Sequence, residues 1–295
     1  MATLPTRRRI FVAWDHSVPN YRVELNALVG GAGLRHEYVA RLSGGDDPPG
    51  PISEEILRDI RRSHCVLAFL ERPNCNVLFE AGYALGIGKA LHLRVYSDRT
   101  RDPWVDGVRW VSGLPINPLP ANPPRARLAL ERFDTAVEQP PLVAPPPTVR
   151  TTPAGSVVLC PLENPARTIR DSLEAHPPLL GTFTCPSPRS PYRRQLDAID
   201  RAAAVAWILP YLTLPDSRHL PVGSAYRDHP ENAANAFLAG FAHGRGVRLY
   251  VFEQKGVPLR RLLDLDELEI DEWLDIPGLI GAVTDRLPTA EDRSP

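Results

Sequence analysis

The chain carries one carboxylate, Glu80, inside an otherwise apolar and glycine-rich run, NVLFEAGYALGIGK, which spans residues 76–89. A buried carboxylate is costly unless another group pairs with it or a reaction uses it. One interpretation is structural: with Asn76 as the N-cap of a helix, Glu80 would interact favourably with the helix dipole. The other is chemical, because a carboxylate in a semi-apolar pocket attracts the positive charge that develops during a reaction.

The elements around this run occur twice in the chain. A helix-patterned stretch that ends in an apolar strand, residues 52–70, is matched by residues 192–209, with equivalent positions 139 residues apart. The segment AGYALGIG, residues 81–88, is matched by AGFAHGRG, residues 239–246, at an offset of 158 residues. The second copy therefore contains an insertion, which we place within residues 210–232.

The alternation of apolar strands with helices in each half predicts an α/β fold, with parallel sheets flanked by helices. We expect two tandem Rossmann-like or flavodoxin-like domains: a catalytic domain at residues 8–137, a proline-rich linker at 138–155, and a degenerate second copy at 156–290. In such sheets ligands gather at the carboxyl ends of the strands. The loops at residues 14–17 and 71–76 should both lie on that edge.

The second copy keeps the glycines of this run but has Leu238 where the first copy has Glu80. A carboxylate that the fold itself needed would be expected in both halves. Its presence in one half only indicates a functional residue. The glycines Gly82, Gly86 and Gly88 would allow a neighbouring strand or a ligand to approach the backbone closely.

Residues 52–96 resemble the nucleoside 2-deoxyribosyltransferase-like family, whose members carry a helix, an apolar strand, a polar loop and the motif N-V-x-F/Y-E-x-G-Y-A-x-G-x-G-K. The resemblance covers about residues 8–100, and TIR-like nucleotide-binding domains carry a related N-V-x-F-E-x-G run. In both groups the glutamate of the motif is catalytic, and it matches Glu80. The resemblance implies cleavage of an N-glycosidic bond, with Glu80 attacking or stabilising C1′ through an oxocarbenium-like transition state. Bacterial domains of this kind occur in toxins and anti-phage effectors.

The chain departs from the transferases of this family at Asn74. In those transferases an aspartate six residues before the glutamate handles the proton of the base. Asn74 occupies that position here, and its amide cannot act as a general acid. Nicotinamide leaves NAD as a neutral molecule without a proton, because the pyridinium is already positive. We therefore expect an N-glycosidase that acts on NAD-type or other nucleotides or nucleosides. The alternatives are a true nucleoside 2-deoxyribosyltransferase and a non-catalytic nucleotide-binding or sensor module.

Further residues are candidates for the same site. Asp15 is either a turn residue or a hydrogen-bond partner for the sugar or base, and Trp14 either stacks on a base or packs in the core. Asn76 caps the helix and also contacts a ribose or phosphate at the helix N-terminus. Tyr83, one helical turn from Glu80, either orients the carboxylate or packs. The catalytic candidates are Glu80 and Asp15, and the substrate-binding candidates are Trp14, Asn74, Asn76, Gly82 and Tyr83.

Composition argues against several classes of function. The chain of 295 residues has a net charge of −1, so no overall electrostatic attraction to nucleic acid exists. None of its four cysteines belongs to a CxxC pair, which argues against zinc and thioredoxin-type sites. No apolar run approaches the roughly 20 residues that span a bilayer. We expect a cytoplasmic protein with a small nucleotide or nucleoside as ligand and with no metal, cofactor, membrane or direct nucleic-acid partner.

The second domain lacks the glutamate and is expected not to catalyse. We predict that the two domains pair within the chain or that the chain forms a homo-oligomer. The second domain would then cover the first site or form a degenerate nucleotide-binding pocket. In a third interpretation both domains are scaffolding and the glycines only pack. The C-terminal run, residues 259–287, predicts acidic amphipathic helices that close the second domain.

Overall fold

The structure, a computed structural model, describes fifteen stretches of the chain. They are residues 7–14, 28, 34–40, 52–70, 74–96, 117–119, 133–147, 155–161, 166–176, 183–184, 192–210, 230–255, 263–264, 268 and 270–288. The strands are β1 Arg9–Ala13, β2 Glu37–Val39, β3 Ile52–Ser53, β4 Cys65–Phe69, β5 Ala90–Tyr96, β6 Asn117–Leu119, β7 Ser156–Leu159, β8 Phe183–Thr184, β9 Ala204–Leu209, β10 Arg248–Gln254, β11 Leu263–Asp264 and β12 Ile270–Trp273. The helices are α1 Glu54–Arg62, α2 Cys75–Gly86, α3 Ala166–Ala175, α4 Tyr192–Arg201, α5 Pro230–Gly244 and α6 Ile276–Arg286. Residues 133–138 are also helical.

Each half of the chain builds one five-stranded sheet, in which the strands pair in parallel. The order is β2-β1-β4-β5-β6 in the first sheet and β8-β7-β9-β10-β12 in the second. When only the strands of each five-stranded sheet are numbered along the chain, both sheets have the order 2-1-3-4-5. This is the strand order of flavodoxin-like folds. The predicted α/β architecture with two tandem domains is confirmed.

Helix α1 has Ser53 at its N-cap, acidic residues in its first turn and arginines in its last turn. These charges complement the helix dipole. The side chain of Ser53 itself makes no capping hydrogen bond. Leu57 and Ile60 are buried, and so are Leu196 and Ile199, which occupy the equivalent positions of α4. The two copies therefore present the same apolar stripe to their cores.

One apolar core continues from the first half of the chain into the second. It lies between the inner faces of the two sheets, where α1 and α2 meet α4 and α5. The outer faces have separate cores. Helical residues 133–138 cover the first sheet, and α3 and α6 cover the second.

Helices α2 and α5 cross with their backbones in direct contact. Four glycines, two on each helix, occupy positions where a side chain would collide with a carbonyl oxygen of the other helix. A Cβ atom would lie 1.9 Å from the oxygen of Phe237 at Gly82, 2.1 Å from that of Phe79 at Gly240, 2.5 Å from that of Phe241 at Gly86 and 2.5 Å from that of Tyr83 at Gly244. Each glycine of α2 makes the same contact as the glycine 158 residues later in α5, with the two helices interchanged. The two helices are therefore related by a pseudo-two-fold axis.

Two further connections join the halves. Leu142 of the proline-rich linker is buried and exchanges two backbone hydrogen bonds with Leu91 of β5, at 2.8 and 3.0 Å. Farther along the linker, the carbonyl oxygen of Pro145 accepts a hydrogen bond from Arg245, which follows α5. In addition, β11 of the second half pairs in parallel with β3, immediately before α1.

The prediction of helices in residues 259–287 is confirmed for α6, Ile276–Arg286, but is wrong for residues 263–264 and 270–273, which form strands. Residues 270–273 form β12, which pairs in parallel with β10 and completes the second sheet. In the run LDLDELEIDEW, residues 263–273, apolar residues recur at spacings of two and three residues, which is shorter than the helical period of 3.6. Trp273 is buried, and its indole nitrogen donates a hydrogen bond of 3.2 Å to the carbonyl oxygen of Phe252.

Candidate functional site

The candidate site lies at the carboxyl edge of the first sheet, where the strand order reverses between β1 and β4. Ala13 of β1 lies beside Ala68 of β4. Trp14 and Asn74 follow these two strands, so the two predicted loops leave the sheet at the same edge. In flavodoxin-like folds this is the position at which ligands bind. Asp15 lies outside the described residues, and its catalytic role stays a prediction.

Helix α2 begins at Cys75, and Asn74 is its N-cap. The Oδ1 atom of Asn74 accepts hydrogen bonds from the backbone N–H groups of Asn76, at 2.9 Å, and Val77, at 3.2 Å. These bonds satisfy two of the donors that a helix N-terminus leaves without partners. The prediction that Asn76 is the N-cap is therefore wrong. Both asparagines can cap a helix, and the earlier one does so because its backbone is extended.

Glu80 is the sixth residue of α2 and so lies beyond its first turn. The effect of the helix dipole on a charge falls off within that turn. The dipole therefore gives no structural reason for a carboxylate at this position. Leu238, at the equivalent position of α5, is also buried, so the fold accommodates an apolar side chain there.

The side chain of Glu80 is largely removed from water. The residue is only 8% exposed, and no hydrogen bond or ion pair joins its carboxyl group to the part of the chain that the structure describes. Burial raises the pKa of this group to about 8, because removal from water disfavours the charged form. Strongly perturbed carboxyl groups of this kind are concentrated at functional sites.

Tyr83 contacts side chains of neighbouring helices rather than Glu80. Its hydroxyl accepts a hydrogen bond of 2.6 Å from Nε of Arg61, which belongs to α1. Its ring lies 5.5 Å, between centroids, from that of His243 on α5. Arg61 also pairs with Glu54, at 3.1 Å. Tyr83 therefore joins α1, α2 and α5, and of its two interpretations the structure supports packing.

The other substrate-binding candidates divide between the site and the core. Gly82 lies in the crossing with α5, so the space that a ligand would use is filled by the backbone of Phe237. Trp14 is buried in the apolar cluster on the outer face of the first sheet. Asn74 and the half-buried Asn76 lie at the N-terminus of α2, at the carboxyl edge of the sheet.

Sequence reasoning missed two basic residues inside β5. The guanidinium of Arg94 is buried, donates hydrogen bonds to the carbonyl oxygens of Leu93 and Ala136, and lies 3.4 Å from Nδ1 of His92. Burial, together with the charge of Arg94, lowers the pKa of His92 to about 4, so its ring is neutral at pH 7. The alternation of ALHLRVY shows that both side chains share one face of the strand. It does not show that helical residues 133–138 cover that face.

The part of the chain that the structure describes lacks two kinds of feature. It has no group of three or more histidine, cysteine, aspartate or glutamate residues placed to hold a metal ion. None of its helices has the length and hydrophobicity that crossing a membrane requires.

No protein-family model matches the chain, and no curated protein matches it. The geometry around Glu80 is therefore the basis on which a function can be argued.

Proposed function

We propose that this chain is an N-glycosidase that cleaves the base–sugar bond of a nucleotide or nucleoside, with Glu80 as its catalytic residue. The observation that carries the proposal is the buried carboxyl group of Glu80, which has no partner among the described residues. A buried carboxylate of this kind destabilises a fold. Since leucine occupies the equivalent position of α5, the fold does not require the charge.

The substrate would supply the missing positive charge. In an NAD-type substrate the base is a pyridinium, which is cationic while it is bonded to C1′. When the C1′–N bond breaks, its electron pair leaves with the base, and the positive charge moves to C1′ and the ring oxygen. The carboxylate of Glu80 stabilises this cation, because the low dielectric that raises its pKa also strengthens its attraction. Water then adds to C1′ and releases a proton to solvent.

The protonation state of Glu80 favours a cationic leaving group. With a pKa of about 8, caused by burial, the carboxyl group is mostly protonated in the free protein at pH 7. A cationic base that enters the site lowers this pKa, because an opposite charge favours the ionised form. A neutral base brings no such charge and needs a general acid in order to leave. Asn74 cannot be that acid, and its amide oxygen is already occupied in capping α2. This supports an NAD-type substrate over deoxyribosyl transfer.

A non-catalytic nucleotide-binding or sensor module is the second candidate function. The raised pKa of Glu80, which burial causes, is the observation that favours it. A protonated carboxyl group can donate a hydrogen bond to a neutral ligand and hold it without any reaction.

The test is incubation of the full chain with NAD and, separately, with a deoxynucleoside plus a free base, followed by mass spectrometry. Glu80→Gln is the matched variant, because glutamine keeps the shape of the protonated side chain but cannot ionise. We expect the chain to release nicotinamide from NAD and the variant to release none. Base exchange on the deoxynucleoside with NAD left intact would overturn the proposal in favour of a transferase. Binding of NAD without turnover would overturn it in favour of a sensor.

A further inference from the structure

Several basic residues lie at the amino edge of the first sheet, opposite the candidate site. Arg7 and Arg8 directly precede β1, which begins at Arg9. Helix α1 ends at Arg62, just before β4, and Lys89 directly precedes β5. Strands β1, β4 and β5 are consecutive in the sheet, and neighbouring strands lie about 4.8 Å apart. The backbone segments that carry these cations therefore span only about 10 Å across the edge.

The second sheet places two more cations at its own amino edge. Helix α4 ends at Arg201, and β10 begins at Arg248. The two amino edges face the same side of the molecule, because α2 and α5 meet at their C-terminal ends. There, a Cβ atom at Gly86 would lie 2.9 Å from the Cα atom of Gly244. Lys89 follows shortly after the first of these glycines and Arg248 after the second, so the basic residues continue across the junction of the two halves.

Six of these cations form no ion pair with the part of the chain that the structure describes, and we call them the basic edge. They are Arg7, Arg8, Arg62, Lys89, Arg201 and Arg248. All are exposed except Lys89, which is half-buried. Among the described carboxylates at this edge, Glu37 and Asp285 also have no cationic partner. The others are paired or buried, as Asp59 is paired with Arg9 at 3.6 Å. Six cations against two free carboxylates leave the edge strongly positive.

We propose that the basic edge binds the phosphate backbone of a double-stranded nucleic acid without reading its sequence. Five of the six cations are arginines, whose guanidinium groups match phosphate oxygens in a bidentate geometry. A duplex carries one negative charge per about 1.7 Å of its axis, so an edge of this width meets several phosphates at once. The expectation of no direct nucleic-acid partner came from the net charge of −1, which does not limit the field of a local cluster.

The apolar side chains on the surface favour a duplex over two other polyanions. Proteins that bind single strands stack the bases on exposed aromatic rings, and membrane-surface binding adds a face of large apolar side chains. Among the described residues, the exposed large apolar side chains are Val143 and Leu274, neither of which is aromatic. Leu274 lies between β12 and α6, at the opposite edge of the sheet. The basic edge therefore offers charge without a stacking platform or an apolar face.

The test is fluorescence anisotropy of a labelled DNA duplex, titrated with the full chain at several salt concentrations. A single strand of the same sequence and phosphatidylserine vesicles are the comparison probes. Helix α4 supplies a matched pair of variants. Arg201→Gln removes a cation of the basic edge, whereas Arg194→Gln removes an exposed arginine at the other end of the same helix. Glutamine is a good helix former, so both variants should fold. Lys89→Gln removes a cation of the first half.

We expect the chain to bind the duplex at low salt. With four phosphate contacts, its affinity should fall roughly 150-fold between about 50 and 200 mM salt. Arg201→Gln and Lys89→Gln should each weaken binding and reduce the logarithmic salt slope by about 1, and Arg194→Gln should change neither. The absence of duplex binding at about 50 mM salt would overturn the proposal, and so would equal losses in Arg201→Gln and Arg194→Gln. Tighter binding of the single strand, or binding of the vesicles in place of the duplex, would assign the edge to that partner instead.

Discussion

Gly82 of α2 lies so close to Phe237 of α5 that a Cβ atom would come within 1.9 Å of the Phe237 carbonyl oxygen. The same relationship holds in reverse on the other helix, where Gly240 meets the carbonyl oxygen of Phe79. The two domains are therefore held at backbone contact, and the glycines of both repeats serve this approach.

Gly82→Ala should destabilise the chain, because the helices must separate to admit the methyl group. Overpacking of this kind costs about 1–3 kcal/mol and more where backbone must move. Gly281→Ala in α6 is the matched control, since a Cβ atom there meets nothing within 4 Å. Alanine inside a helix is favoured over glycine by roughly 0.5–1 kcal/mol, so the control should be neutral or stabilising. Urea denaturation measures the free energy of unfolding of each variant. Equal values for the two would contradict the close contact between α2 and α5.

Glu80 should make the stability of the chain fall as pH rises. Its folded-state pKa, raised by burial to about 8, exceeds its ordinary value of 4.5. Between these values the unfolded chain has released a proton that the folded chain still holds, so the free energy of unfolding decreases with pH. At about 1.4 kcal/mol per pH unit, the loss amounts to at most ~5 kcal/mol. Glu80→Gln should remove this slope between pH 5 and pH 8, whereas the exposed Glu174→Gln should retain it in chemical denaturation experiments.

The same ionisation should control the proposed cleavage. If the reaction needs the carboxylate of Glu80, kcat/KM for NAD should rise with pH and level off above the pKa of about 8 that burial causes in the free chain. The limiting kcat should depend less on pH, because a bound cationic base lowers the pKa. Steady-state rates between pH 6 and pH 9.5 measure both quantities. A kcat/KM that falls over this range would mean that Glu80 acts as an acid.

Asn74 should stabilise α2 through its cap. Asn74→Ala removes the acceptor of two backbone hydrogen bonds and should cost about 1 kcal/mol. Asn74→Asp keeps the acceptor and adds a negative charge at the helix N-terminus, so its stability should equal or exceed that of the parent. Thermal unfolding at pH 7 distinguishes the two variants. Equal losses in both would contradict the capping role.

The ion pair between Arg245 and Asp200 should be strongly coupled. The side chain of Asp200 is buried, that of Arg245 is 9% exposed, and the two lie 3.0 Å apart. Removal of either partner alone, by Arg245→Met or Asp200→Asn, leaves a buried charge without its partner and should cost about 3–5 kcal/mol. The double variant should cost less than the sum of the two single variants. A strictly additive result in a double-mutant cycle would show that the pair is not coupled.

The sequence predicts the two sheets and the helices around Glu80, because apolar periodicity is a local signal and the repeat supplies it twice. It does not predict the function of the glycines. Spacing by four residues at Gly82 and Gly86 is compatible with an approaching ligand, and the contact with α5 is visible only in three dimensions. The repetition of that spacing in the second copy is the signal that could have indicated two helices packed on each other.

The errors at the site and in the C-terminal region have separate physical causes. Asn74 and Asn76 are equally good capping residues, and backbone conformation decides between them. In residues 263–273 the many acidic residues suggested an amphipathic helix, although the apolar residues recur every two or three residues rather than every three or four. The burial of Glu80 could be inferred from its apolar neighbours in the sequence. That its carboxyl group has no partner among the described residues depends on tertiary contacts, which no local pattern contains.

The continuous core between the inner faces of the sheets has a consequence for synthesis of the chain. While the ribosome makes residues 156–244, which takes roughly 4–18 s at about 5–20 residues per second, the first domain has already emerged. During that time the apolar surface of α1 and α2 awaits a covering helix that has not yet been translated. The nascent chain thus exposes an apolar surface that suits chaperone binding. Release of the chaperone then depends on completion of α5.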